Sequence, residues 1–184
     1  MKHFVIAIDW YGPFPLKKAV SEAKEHLNGG LYLCIGRQKW GRSRLPQYIG
    51  ISSHSVGTRL ETSIKPQSVI DAKFWIGEVI TSEATGPRTK ATPRTLDEAE
   101  WLHAYFMELG LNEKKRIKPP SRPVTVLNRW WKPDGEYDNP WVMRPHPDWP
   151  DLIDFRGPKY SARIVWFGGK LKRVHPPFFW ELYI

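Results

Sequence analysis

Two tyrosines, one arginine and one glutamate stand in an order that could serve phosphate chemistry. Tyr32 closes Gly30-Leu31-Tyr32, and Tyr48 opens Tyr48-Ile49-Gly50. A lone arginine follows in Val56-Gly-Thr-Arg59-Leu60, then a glutamate in Glu98-Ala-Glu100-Trp-Leu, and Asn112 ends the stretch. Hydrolysis of a phosphodiester needs an attacking water and a base to deprotonate it. It also needs charge stabilisation on the phosphate and support for the leaving oxygen. Phenol, guanidinium and carboxylate groups could supply these between them. His54, four residues beyond Gly50, adds an imidazole to the set.

The elements that must position these groups follow from periodicity. Leu31-Tyr-Leu-Cys-Ile35 and Tyr48-Ile-Gly-Ile-Ser52 read as strands, joined by a long polar tip into an antiparallel hairpin. Ser55 is placed to cap a short helix carrying Val56, Arg59 and Leu60. Phe74–Ile80 reads as a third strand. Thr95 with Glu98 three residues on has the form of a capping box, opening a helix that runs through Glu100 to a stop at Gly110. On that helix Glu98 and Glu100 differ by about 200°, so only one of them can face the sheet. Ahead of this block, Phe4–Ile8 reads as a buried strand. Leu16, Ala19, Val20, Ala23 and Leu27 then recur at helical spacing.

The motif order resembles that of the GIY-YIG nuclease superfamily, with GLY and YIG standing for the two name motifs. The resemblance covers about half the chain. It implies an α+β fold in which a small antiparallel β-sheet is flanked by helices, and a divalent-metal-dependent endonuclease acting on DNA. It assigns the catalytic roles to Tyr32, facing the attacking water, to Tyr48 on the same face, to Arg59 on the phosphate and to Glu100 as the ligand of Mg²⁺ or Mn²⁺. Asn112 matches the asparagine that ends the motif, twelve residues after Glu100 (112 − 100). The chain departs from the pattern at Ile51, where the family often has a lysine. His54, Arg42 or Lys39 is then the expected helper of the tyrosine. Nearby cations are expected to favour the phenolate of Tyr32.

Charge points the same way. The formal net charge is +9, which suits a polyanionic partner. Arg37, Lys39, Arg42 and Arg44 crowd the hairpin tip, where there is no acidic residue. Lys114, Lys115 and Arg116 begin a second run of seven cations that ends at Lys132, against Glu113 alone. These residues and Asn112 are the expected nucleic-acid contacts, with double-stranded DNA the favoured form. A basic module that binds without cutting, or one that meets an acidic protein, is the competing reading.

Three segments are expected: 1–28, a strand and helix packing on the core; 29–118, the nuclease-like core; and 119–184, a proline- and tryptophan-rich extension. Six of the ten tryptophans lie beyond Asn128, more aromatic surface than a disordered tail carries. They read as a satellite core, with Arg129-Trp130-Trp131-Lys132 the stretch best placed to stack bases. Gly168-Gly169 between two apolar-basic runs signals a hairpin, and Phe178–Ile184 reads as an edge strand. The single cysteine, Cys34, sits in an apolar strand and reads as a buried, inert thiol. It excludes an internal disulfide framework. The apolar part of the N-terminus is too short for a signal sequence, so a cytoplasmic protein is expected.

Overall fold

The structure, a computed structural model, describes residues 3–81, 93–132 and 144–175. Eight strands form one sheet: β1 (Phe4–Phe14), β2 (Gly30–Arg37), β3 (Leu45–Ser52), β4 (Ile70–Val79), β5 (Val124–Trp131), β6 (Leu152–Phe155), β7 (Ala162–Trp166) and β8 (Lys170–Val174). The helices are α1 (Leu16–His26), α2 (Val56–Thr62), the single turn α3 (Ile64–Gln67) and α4 (Pro93–Phe106).

The strand order is β3-β2-β4-β1-β5-β6-β7-β8. Among the described strands only β1 and β5 pair in parallel, with Phe4 opposite Val124 and Tyr11 opposite Trp131. The expected small antiparallel sheet flanked by helices is therefore wrong. The molecule is built on a mixed, curled eight-stranded sheet, a half-barrel, with only 24% helix. The reason lies in β1 and β5. The first strand does not stop at Ile8 but runs on to Phe14, and it inserts between β4 and β5. The unexpected β5 alternates buried and half-buried along Val124–Trp131, and so continues the sheet into the second half of the chain.

Both faces of the sheet carry a packed apolar layer. On one face, Leu31, Leu33, Ile35 and Ile49 join Ile6, Ile8 and Trp10, the apolar side of α4, and Val124, Val126, Ile153 and Ile164. Trp149 is the hub of this layer, with ring centroids 4.9 Å from Trp10, 5.6 Å from Trp130 and 5.9 Å from Trp75, all edge-on. Offset and edge-on aromatic pairs of this kind add to the burial of the rings themselves. Trp130, Trp149 and Trp166 are thus part of the main core, not a satellite, while Trp131 is half-buried. On the other face, Tyr32, Cys34 and Tyr48 pack with Phe74, Ile76, Ala19, Ala23, Val56 and Leu60 beneath α1 and α2. The two faces alternate along β2 because successive side chains of a strand point oppositely.

The α1–α2 contact is close. A Cβ on Gly57 would stand 2.8 Å from the Val20 carbonyl oxygen, so glycine is what lets the two helices meet there. Ser55 caps α2 as expected, its side chain accepting from the Thr58 N–H at 3.2 Å. Helix α4 extends two residues upstream of the expected cap, to Pro93. The Gly168-Gly169 hairpin forms, both glycines having positive φ (100° and 131°). Phe178–Ile184 lies outside the described residues. No helix among the described residues is long and apolar enough to cross a membrane.

Candidate functional site

The tyrosines face each other under α2. Cross-strand pairing sets Tyr32 opposite Gly50 and Cys34 opposite Tyr48. The Tyr32 and Tyr48 ring centroids are 5.9 Å apart. The Tyr32 ring lies across Gly50, where a Cβ would be 2.4 Å from the phenolic oxygen. The glycine of the second motif thus makes room for the tyrosine of the first. Tyr32 is 0% exposed, and its hydroxyl makes no well-formed hydrogen bond, although Ser63 and Tyr48 lie beside it. Burial pushes its pKa well above the ordinary phenol value, and the Tyr48 neighbour adds to that rise. The Arg59 charge and Ser63 oppose the shift but do not outweigh burial. The expected cation-favoured phenolate is therefore corrected: at neutral pH Tyr32 is a neutral phenol.

Arg59 projects from α2 and is exposed. Its charge acts on Tyr32 and also on Glu100, which comes from α4 across the edge strand β3. Glu100 is the member of its pair that turns toward this edge. Burial raises its carboxyl above the usual carboxylate range, against a hydrogen bond and the charge of Lys115, which pull it down. Lys115 Nζ lies 2.5 Å from Glu100 Oε2, 2.6 Å from Asp97 Oδ1 and 3.2 Å from the Asp97 carbonyl oxygen. Glu98 points elsewhere, with one buried carboxylate oxygen unpartnered. His54 is exposed in the turn between β3 and α2, its Nδ1 2.9 Å from Ser53 Oγ.

Asn112 has a different job from the one expected. It is buried, its Oδ1 accepts from the Ile49 N–H at 2.9 Å and its Nδ2 donates to the Ile49 carbonyl at 2.7 Å. Together with the Leu111 N–H donating to the Gln47 carbonyl at 3.0 Å, it closes part of the open edge of β3. Both of its polar ends are committed to the backbone, so it is not a nucleic-acid contact. Lys115 likewise leaves the expected contact set, because its ammonium serves Asp97 and Glu100. Lys114 and Arg116 beside it remain exposed. At the hairpin tip, Arg37 is paired with Asp71 (Nη2–Oδ2 2.5 Å) and Arg44 donates to the Asp71 carbonyl at 3.2 Å. Lys39 and Arg42 are exposed.

Among the described residues no three or more His, Cys, Asp or Glu side chains gather as a metal group. The Lys115 ammonium does, however, mark a cationic position ringed by three hard oxygen atoms. The Asp97 and Glu100 carboxylates are of the hard oxygen type that Mg²⁺ or Mn²⁺ takes, and both are paired with the Lys115 ammonium. Sequence reasoning passed over Asp97, although its spacing of three residues from Glu100 puts both carboxylates on one side of α4. In the stretch 129–132, neither Arg129 nor Trp130 is offered to a base. Arg129 makes a bidentate pair with Asp9 at 2.6 and 2.7 Å, and Trp130 is in the core.

Compared with protein-family models, with curated proteins and with solved structures, the chain matches none.

Proposed function

We propose that this protein binds DNA and hydrolyses its phosphodiester bonds at the Tyr32–Tyr48–Arg59–Glu100 cluster, in the manner of the GIY-YIG nucleases its motifs resemble. The observation that carries the reading is the pairing of Tyr32 with Tyr48, ring centroids 5.9 Å apart, beneath α2, the helix that presents Arg59 exposed. An exposed guanidinium there can hold a phosphate by paired hydrogen bonds. Tyr32, neutral and sealed, is not the base; with Tyr48 it forms the packed layer beneath α2, the helix that presents Arg59. His54, an exposed imidazole in the turn that leads into α2, is the group suited to take the proton. A divalent ion held by Glu100 and Asp97 would supply Lewis-acid stabilisation of the phosphate and leaving oxygen. The exposed cations Lys39, Arg42, Lys114 and Arg116 extend the phosphate contacts, in keeping with the net charge of +9. Cytoplasmic residence goes with this proposal.

A second reading has its own support. The complete burial of Tyr32 and the occupation of Glu100 by Lys115 also suit a module that binds nucleic acid without cutting it. Incubating labelled duplex DNA with the protein in Mg²⁺ or in EDTA separates the two. Metal-dependent cleavage that Glu100→Gln abolishes, with binding retained, supports the nuclease. Binding with no cleavage in either buffer supports the module.

A further inference from the structure

The tip of the β2–β3 hairpin carries a tryptophan that the fold does not use. Trp40 is 89% exposed, whereas Trp10, Trp75, Trp130, Trp149 and Trp166 are all buried. Such exposure would mean little on a loose loop, but this tip is held at both shoulders. The Gly41 N–H donates to the Gln38 carbonyl at 2.9 Å, closing a turn with Lys39 and Trp40 at its apex. Gln38 Nε2 donates to Gln47 Oε1 at 3.0 Å, and Gln47 Nε2 donates to the Gly36 carbonyl at 3.1 Å, tying the apex to the base of the hairpin. On the far side, His146 Nδ1 accepts from the Asp148 N–H, so its Nε2 carries the proton and donates to the Arg44 carbonyl at 2.9 Å. Lys39 Nζ stands 5.3 Å from the Trp40 ring centroid. With Arg42 exposed beside them and no acidic residue from Gly36 to Pro46, the apex is an aromatic plate ringed by cations.

We propose that Trp40 stacks on an unpaired base of the bound nucleic acid while Lys39 and Arg42 hold the flanking phosphates. This rests on the nucleic-acid reading of the preceding subsection and adds the form of the ligand, a strand with at least one base out of its duplex stack. Base stacking on an aromatic ring tolerates any sequence, because every base has a π-face. A pre-positioned ring loses little conformational freedom on binding, and a tryptophan has only two side-chain torsions to fix. The surrounding charge favours this ligand over an apolar one.

The test is binding of a labelled single-stranded oligonucleotide across a range of salt, by wild type, Trp40→Ala and Trp40→Phe. Melting temperatures are measured in parallel, and an exposed side chain should leave them unchanged. Trp40→Ala should weaken binding by roughly 5- to 150-fold, from the usual size of a base–aromatic stack. Trp40→Phe should recover part of that loss. The slope of log K against log salt should stay the same, since an indole displaces no counterion. Equal affinity of Trp40→Ala and wild type overturns the stacking role and leaves the nucleic-acid reading standing. An absence of salt-dependent binding of this oligonucleotide by wild type overturns the proposal, and an absence of binding to duplex DNA as well overturns the nucleic-acid reading. Trp40-dependent retention on anionic lipid vesicles, in place of oligonucleotide binding, overturns it in favour of a membrane surface.

Discussion

Replacing Tyr32 by phenylalanine separates structure from chemistry at the centre of the cluster. The ring fills the space above Gly50 and packs against Tyr48, and phenylalanine keeps both contacts. Only the buried hydroxyl goes, and it has no well-formed hydrogen bond to lose. An unsatisfied buried polar group costs about 1–3 kcal/mol, so the variant should be more stable by an amount of that order. For a chain of this size, 1 kcal/mol moves the melting temperature by about 2–4 °C, which predicts a rise of roughly 2–12 °C. The pH dependence has a definite sign. Above the ordinary phenol pKa near 10, the unfolded chain releases this proton while the native state, whose pKa is raised, keeps it. The unfolded state then binds fewer protons, and stability falls as pH rises. Tyr32→Phe should lessen that alkaline loss. Calorimetric melts of both proteins from pH 7 to about 11 measure both effects. A lower melting temperature in the variant at neutral pH would show that the hydroxyl has a stabilising partner, and the assignment of a buried, neutral, unpaired phenol would fail.

Three further outcomes follow from the same geometry. Lys115→Met removes the ammonium that Asp97 and Glu100 share, so Mg²⁺ should raise the melting temperature of the variant more than that of wild type; equal responses would mean that the lysine and the ion do not compete. Arg42→Ala should lower the salt slope of duplex binding by roughly 0.9, the value of one phosphate contact, while Arg37→Ala, whose guanidinium is already paired with Asp71, should lower it less; identical slopes in the two variants would refute the distinction. His103 is buried, with Nδ1 2.7 Å from the Ala99 carbonyl and Nε2 3.0 Å from Asn128 Oδ1, and burial lowers its pKa below the ordinary value near 6.5. Below that pH the unfolded state takes up a proton that the native state resists, so wild-type stability should fall on acidification and His103→Gln should fall less; parallel stability profiles would show that His103 is not the titrating group.

The local elements were legible where one side-chain pattern dominated. The β2–β3 hairpin, the Ser55 cap and the Gly168-Gly169 turn each rest on neighbouring residues, and each appears in the structure. The sheet order was not legible, because it depends on partners far apart in sequence. Nothing within Phe4–Phe14 announces that it will pair in parallel with a strand more than a hundred residues later. Strand β5 did carry a signal: Val124, Val126, Asn128 and Trp130 alternate inward. It was obscured by prolines on either side and by the cations between. Asn128 explains the polar break in that alternation. Its Oδ1 accepts from Trp10 Nε1 at 2.8 Å and its Nδ2 donates to the Pro150 carbonyl at 2.9 Å, so a buried amide is fully engaged there. At the site, residue types fixed the candidates but not their exposure. The sequence could not show that Tyr32 is sealed beneath α2, that Lys115 turns inward, or that Trp40 turns out.

The central claim is that Arg59 and Glu100 act on one phosphate. It is tested most directly by single-turnover cleavage of duplex DNA in Mg²⁺ by wild type, Arg59→Ala, Glu100→Gln and the double variant. If the two residues serve one transition state, each single substitution removes most of the activity, and the double variant is little slower than the worse single. Binding of the Glu100→Gln protein to DNA should remain close to wild type, because the basic surface is intact. Losses that simply multiply in the double variant would place the residues at separate tasks, and a wild-type protein that binds DNA but leaves it uncut in Mg²⁺ would contradict the account.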